Sequence, residues 1–406
     1  MLLITETGGT GGTLRSSSED FVVKEITENG TTLEPGTAYS GEQLGRAGDG
    51  GRGKHIEFVM EKRNWNTVDA LIAVAKRLGH GRKSIGYAGT KDRNAVTVQL
   101  ASVFSPDDAD LRSLGIKDIR INGQWRGDGV GMGDVLGNAF EITVRDAKRV
   151  DNAGAIAEEL GGRMPNYFGE QRFGYRGNNW KIGAAMLRGD FEGAVDEYLT
   201  YTGNEVNAEA SAARTRYAEE RDPKQALSYF PKFLKGERTV LAHLAMHGGN
   251  YANALRLLPR GTLLMFVHAV QSSVFNSELE ARVRAGDFSS AAYAGEDFYG
   301  FPDMERISGS GKFALGVLPG YASRGEELGA YAREAMERMQ IGGEQFAMRQ
   351  MPELSMKGAY RPLLAPVKDL ACDVIDGGSY RLGFSLPSGS YATALLNEFM
   401  KQGAAQ

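Results

Sequence analysis

Ser84-Ile-Gly-Tyr-Ala-Gly-Thr-Lys-Asp-Arg-Asn-Ala-Val-Thr-Val-Gln-Leu-Ala-Ser-Val-Phe104 reads as two apolar strands, 84–88 and 96–104, joined by a short charged loop. The β-branched and aromatic content of both flanks suits strands, and Gly89 allows close approach of backbone to a ligand. The loop sets Lys91, Asp92 and Arg93 side by side. A carboxylate between two cations at the mouth of a sheet is held in its charged form, which suits a nucleophile or a base, and the cations suit phosphates. Read by itself, the segment is equally a hairpin turn with a capping Asp and solvated charges.

Outward from this segment the pattern is one of strands and helices in alternation. Upstream, Phe21–Ile26 and His55–Met60 read as strands. Val68, Leu71, Ile72, Ala75 and Leu78 fall at helical spacing, with Asn66 or Thr67 to cap the start and Gly79 to end it. Downstream, 119–122 and 139–145 predict strands and 152–160 a helix. Residues 180–290 are rich in Ala and helical in pattern, and a helix is predicted over 325–338. Ser379–Leu386 alternates as a strand, and a helix from Ser390 to Met400 follows. The order predicts one domain of strands and helices interrupted by a second, with helix-rich material in the middle.

Composition bounds the function. The chain has 406 residues, 42% hydrophobic and 24% charged, ordinary for a soluble globular protein and enough for two or three domains. No apolar run reaches the roughly 18 to 20 residues of a membrane span, and no signal peptide is expected at the N-terminus. A single cysteine, Cys372, excludes an internal disulfide or a cysteine metal cluster. A cytoplasmic setting and a monomer are the expectation. The formal charge of −4 is unevenly spread, however: residues 1–43 carry 2 Lys/Arg against 7 Asp/Glu, and residues 44–93 carry 11 against 5. A basic segment grouped on one face binds a phosphate backbone whatever the net charge. Arg77, Arg82 and Lys83 are its natural backbone contacts.

Three other motifs carry less. Gly48-Asp-Gly-Gly-Arg-Gly-Lys54 has phosphate-loop spacing, but His55 stands where Ser or Thr would hold magnesium, and Gly309-Ser-Gly-Lys312 lacks the upstream glycine. His243 and His247 sit at i and i+4 with no third ligand in view. Neither a metal nor a small-molecule cofactor is expected. By contrast Pro165-Asn-Tyr-Phe-Gly-Glu-Gln-Arg-Phe-Gly174 packs three aromatics, an amide and an Arg between Pro and Gly. Such a loop suits stacking of an unpaired base, at about 1–3 kcal/mol per base, or the plugging of a core beneath a turn.

At these two segments the chain resembles the TruD family of pseudouridine synthases. Gly89, Lys91, Asp92, Ala95, Thr97 and Gln99 match the family's signature around its catalytic aspartate, and Asn166 through Gly174 match its Asn-Tyr-Phe-Gly-x-Gln-Arg-Phe-Gly segment. Glu19–Val23, Leu136–Phe140, Val270–Asn276 and Leu386–Thr393 match in the same order. The long helix-rich stretch after residue 178 is similar to that of archaeal members. The resemblance implies the fold class, α+β: a catalytic domain of residues 1–177 and 353–406, with a mixed, largely antiparallel sheet flanked by helices, around a helix-rich α/β insertion domain of 178–352. It implies an RNA isomerase acting on uridine 13 of tRNA, with tRNA as partner. Asp92 would initiate the reaction and Phe168 would stack on the extruded base. Asn166, Lys91, Arg93, Arg15 and Gln99 would contact substrate or loop. Arg15 stands where some members carry Lys, which preserves a phosphate or carboxylate partner but not a proton-transfer role. The competing classes are a non-catalytic RNA-binding or RNA-chaperone protein and a nucleoside-phosphate enzyme using the Gly48–Lys54 loop.

Overall fold

A computed structural model describes residues 1–46, 53–105, 107–286, 292–294, 313–323 and 328–401. Most of the phosphate-like loop at 48–54, all of 309–312 and the start of the helix expected from 325 lie outside the described residues.

The described chain forms two units, one of residues 3–165 and 364–401, the other of 166–294 and 313–363. Their edges fall at 165/166 and 363/364, where the sequence reading sets them at 177/178 and 352/353. The reason is local: the loop after Pro165 is bonded into the second unit through Asn276 and Arg361.

The first unit is built on an eight-stranded sheet. Its strands are β1 (Phe21–Ile26), β2 (His55–Arg63), β3 (Ile85–Tyr87), β4 (Val96–Phe104), β5 (Ile119–Gly127), β6 (Gly137–Val144), β12 (Lys368–Asp376) and β13 (Ser379–Pro387). A two-stranded pair, β7 (Arg163–Pro165) and β11 (Leu364–Pro366), lies apart; β8 to β10 belong to the second unit. The order is β12-β13-β6-β1-β4-β2-β5, with β3 also on β4; β1 and β4 are parallel and every other pair is antiparallel. The mixed, largely antiparallel sheet expected from the sequence is therefore present. Helix α1 (Thr67–Arg77) covers one half. It is capped by Asn66, whose side chain accepts from the amide of Val68, and Ala70, Leu71 and Val74 pack on Ile56, Phe58 and Met60 of β2. Helix α2 (Asn152–Leu160) and the C-terminal helix Ala392–Met400 cover the other, over Phe140, Ile142, Leu382 and Phe384.

In the second unit seven helices, α3 (Asn179–Leu187), α4 (Phe191–Thr200), α5 (Ala208–Glu220), α6 (Pro223–Tyr229), α7 (Lys235–His247), α8 (Tyr251–Arg256) and the 26-residue α9 (Arg260–Ala285), share one core. Helix α3 lies against α9 so closely that a Cβ on Gly183 would stand 2.1 Å from the Phe266 carbonyl oxygen. A three-stranded antiparallel sheet, β8 (Ala292–Ala294), β9 (Phe313–Leu318) and β10 (Ala359–Pro362), and a helix at Ala330–Arg338 complete it.

Candidate active site

The charged loop between β3 and β4 is anchored at several points. Gln99 of β4 is fully buried; its amide donates to the Gly89 carbonyl at 3.1 Å and its oxygen accepts from the Thr67 hydroxyl at 3.0 Å. That same hydroxyl accepts from the Lys91 amide at 2.9 Å, so the first residue of α1 is stitched to the loop. The Lys91 ammonium turns inward to Glu25 of β1 at 2.5 Å, and the other Glu25 oxygen accepts from the Leu100 amide. Lys62 of β2, with no exposed surface, donates to the Asp92 carbonyl at 2.9 Å.

With its neighbours fixed, Asp92 presents a side chain 29% exposed. Arg15 donates to its carboxylate at 2.6 Å. The Arg15 guanidinium carbon also lies 4.2 Å from the centre of the Phe21 ring, and the residue takes the left-handed backbone, φ 59°, that turns it toward the loop. Arg93 is exposed beside Asp92. Arg15, Asp92 and Arg93 thus come together at an accessible surface. A partly exposed carboxylate with a fixed guanidinium on one oxygen can use the other to attack carbon or take a proton.

Of the two roles open to Lys91 and Gln99, contact with substrate or with the loop, their burial and hydrogen bonds favour the second: both hold the loop. Arg82 and Lys83 are exposed in the short 3₁₀ turn after α1, and Arg77, exposed in the last turn of that helix, bonds the Leu114 carbonyl.

Burial sets the proton balance of Lys62. Desolvation pulls its pKa down to about 8, against the pull of the Asp92 charge upward and with the help of Lys91.

In the second unit the Asn166–Gly174 loop is held from beneath. Asn276 of α9 accepts from the Phe168 amide at 2.9 Å and donates to its carbonyl at 3.0 Å. Asn166 is fully buried, donating to the Pro362 carbonyl at 3.0 Å and accepting from Arg361 at 2.6 Å. Phe168 is 5% exposed, edge-on to Phe275, with the Arg361 guanidinium 4.1 Å and that of Arg172 5.2 Å from its ring centre. Past it, Phe173, Tyr175 and Trp180 line an open depression of about 940 Å³.

Lys62, Glu25, Thr67, Asn276 and Arg361 escaped the sequence reading. A signal existed for three of them. Along β2 the positions Ile56, Phe58, Met60 and Lys62, and along β1 Phe21, Val23 and Glu25, share one side by the two-residue period, so each strand ends its apolar row on a charge. Asn276 closes the quoted 270–276 segment.

Among the described residues no group of three or more His, Cys, Asp or Glu could hold a metal ion. His243 and His247 face each other on α7 with ring centres 4.5 Å apart. No described helix is long and apolar enough to cross a membrane.

Comparison with known proteins adds the lineage. The family model described as tRNA pseudouridine synthase D (TruD) matches residues 1–399. A Methanopyrus kandleri protein named tRNA pseudouridine synthase D is 38% identical over 360 residues, 86% of each chain. One from Pyrococcus abyssi with the same name is 33% identical over 98% of each. A crystal structure described as tRNA pseudouridine synthase D from Methanosarcina mazei superposes with a TM-score of 0.75 at 30% identity, covering 99% of this chain and 96% of that one.

Proposed function

Because this chain belongs to the TruD family of tRNA pseudouridine synthases, and is thereby an isomerase, we propose that it converts uridine 13 of tRNA to pseudouridine with Asp92 as the initiating group. The reaction breaks the bond from C1′ to N1 of uracil, turns the base, and rejoins it through C5; it gains and loses no atoms. Asp92 either attacks C1′ or removes a proton from C2′. The observation that carries this reading is the partly exposed Asp92 carboxylate fixed at 2.6 Å by Arg15 on a loop anchored from three strands.

Arg15 orients one carboxylate oxygen and neutralises charge as the other reacts. Arg93, with Arg77, Arg82 and Lys83, supplies phosphate contacts. Phe168 is the ring proposed to stack on the everted base. Its present enclosure requires a guanidinium, Arg361 or Arg172, to leave its face as the base arrives. Asn166 holds the backbone beneath that ring. Unstacking the target costs a few kcal/mol, which these contacts must supply.

The test is Asp92→Asn, a near-isosteric change on an anchored loop. Tritium release from 5-tritiated uridine in transcribed tRNA should fall by at least about 10³-fold, with tRNA affinity within twofold of wild type. Release at the wild-type rate would end the proposal for Asp92. Mapping of pseudouridine in the wild-type product decides the position.

A further inference from the structure

The other buried lysines of the sheet unit have carboxylate partners. Lys24 bonds Glu34 and Glu141, at 2.9 and 2.5 Å, and Lys91 bonds Glu25. Lys62 has none among the described residues: with 0% exposure, its hydrogen bond is to the backbone carbonyl of Asp92. Directly across the strand pair stands Thr97, whose hydroxyl is buried and has no partner among the described residues. A tie to a carbonyl can be made by any neutral donor, and a buried ammonium is a costly way to make it. What an ammonium adds is charge, and the anion it faces is Asp92.

We infer that Lys62 is a positioning residue for the isomerisation, clamping the Asp92 loop from below and keeping a positive charge under the carboxylate as it meets the ribose. The role rests on the reading of Asp92 as the reacting group. Lys62 cannot itself touch substrate. The charged groups around it are Asp92 and Lys91 of the loop, with Arg15 on Asp92 and Glu25 on Lys91. The neighbouring strands set Thr97 and Ile119 opposite it, and α1 turns Thr67, Ala70 and Leu71 inward. No other titratable side chain comes to it from those positions. Since burial brings its proton equilibrium to about pH 8, the clamp is charged below that pH and loses its charge above it.

Two measurements on the full chain test this. Single-turnover rates on transcribed tRNA should drop at least about tenfold in Lys62→Met with tRNA affinity within twofold. The wild-type rate should fall as pH rises through about 8, and Lys62→Arg, charged throughout, should retain most of the rate and lose that inflection. Independently of turnover, ¹³C spectra of labelled lysine should contain one resonance titrating near pH 8 that is missing from Lys62→Arg. In Asp92→Asn it should titrate at lower pH, because removal of the anion favours the neutral amine. An unchanged rate in Lys62→Met, an identical inflection in Lys62→Arg, or a Lys62 resonance indifferent to Asp92 overturns the inference. A wild-type protein that isomerises no uridine, yet shows the Asp92-coupled resonance, fails the proposed function and leaves the Lys62–Asp92 coupling standing.

Discussion

At the scale of the residue, the site is a matter of which charges are pinned and which are left open. Arg15 directs its guanidinium at Asp92 from a left-handed backbone position that costs an L-residue about 1 kcal/mol or more. Arg15→Ala is expected to lower kcat by about 10²-fold, the usual cost of losing one fixed donor to a reacting charge. Arg15→Lys, with a point charge in place of a planar fork, should lose about tenfold. Tritium release at saturating tRNA checks both, and equal rates for the two variants would contradict the assignment. A second acid, this one buried, gives a pH signature. Asp20 accepts from the Arg145 guanidinium at 2.6 to 3.0 Å and from the Ser17 amide, and these bonds, the Arg145 bond foremost, lower its pKa despite burial. Its native pKa lies below the unfolded value, so the stabilisation is full above about pH 4 and is lost as pH falls through the native pKa. Arg145→Ala should lower the Tm at pH 7, and the gap to wild type should close in acid. The family resemblance singled out Asp92, and the charged loop around it was legible as Lys91, Asp92 and Arg93 in succession between apolar strands. The buried anchors were not: a single lysine ending an apolar row looks the same as a strand end reaching solvent.

Among elements, the strongest periodicities transferred directly. β4 runs from Val96 to Phe104, buried on both faces up to Val103, and α2 from Asn152 to Leu160, burying Ala153, Ile156 and Leu160 on one face, as the pattern indicates. β12 was missed. It is the edge strand next to β13, mostly exposed, and the charges at Lys368 and Asp376 confine its apolar row to three positions, Leu370, Cys372 and Val374. Charged side chains are what protect such an edge from pairing with another chain. The 166–174 loop was legible as a unit, with core packing among the roles open to it, but the residues that hold it were not, since Asn276 and Arg361 lie over a hundred residues away in the chain. The α3–α9 crossing gives a sharp prediction. In Gly183→Ala the new Cβ meets the Phe266 carbonyl at 2.1 Å, a backbone atom that cannot rotate aside. Two helices must part, at about 3 kcal/mol, and thermal unfolding should register a fall in Tm of several degrees.

For the whole molecule, a formal charge of −4 and a polyanionic substrate are reconciled by placement. Arg82 and Lys83 are exposed just after α1, and Arg77 is exposed in its last turn. Replacing Arg82 and Lys83 by Ala should weaken tRNA binding alike for all tRNAs and reduce the slope of log K against log salt by about 1.5 to 2. Titrations at several salt concentrations would show it, and an unaltered slope would remove these residues from the interface. The sheet unit also draws on both ends of the sequence. The Thr10 amide donates to the Phe399 carbonyl at 2.8 Å, and the amides of Ile4 and Thr5 donate to the Glu398 carboxylate. β13, near the end of the chain, pairs with β6, which in turn pairs with β1 just after Arg15. A ribosome releases the first of these segments long before it makes the last. β1, β4 and β6 can therefore pair around the Arg15 segment while the second unit is still unmade, whereas β6 waits for β13 until that unit has been synthesised.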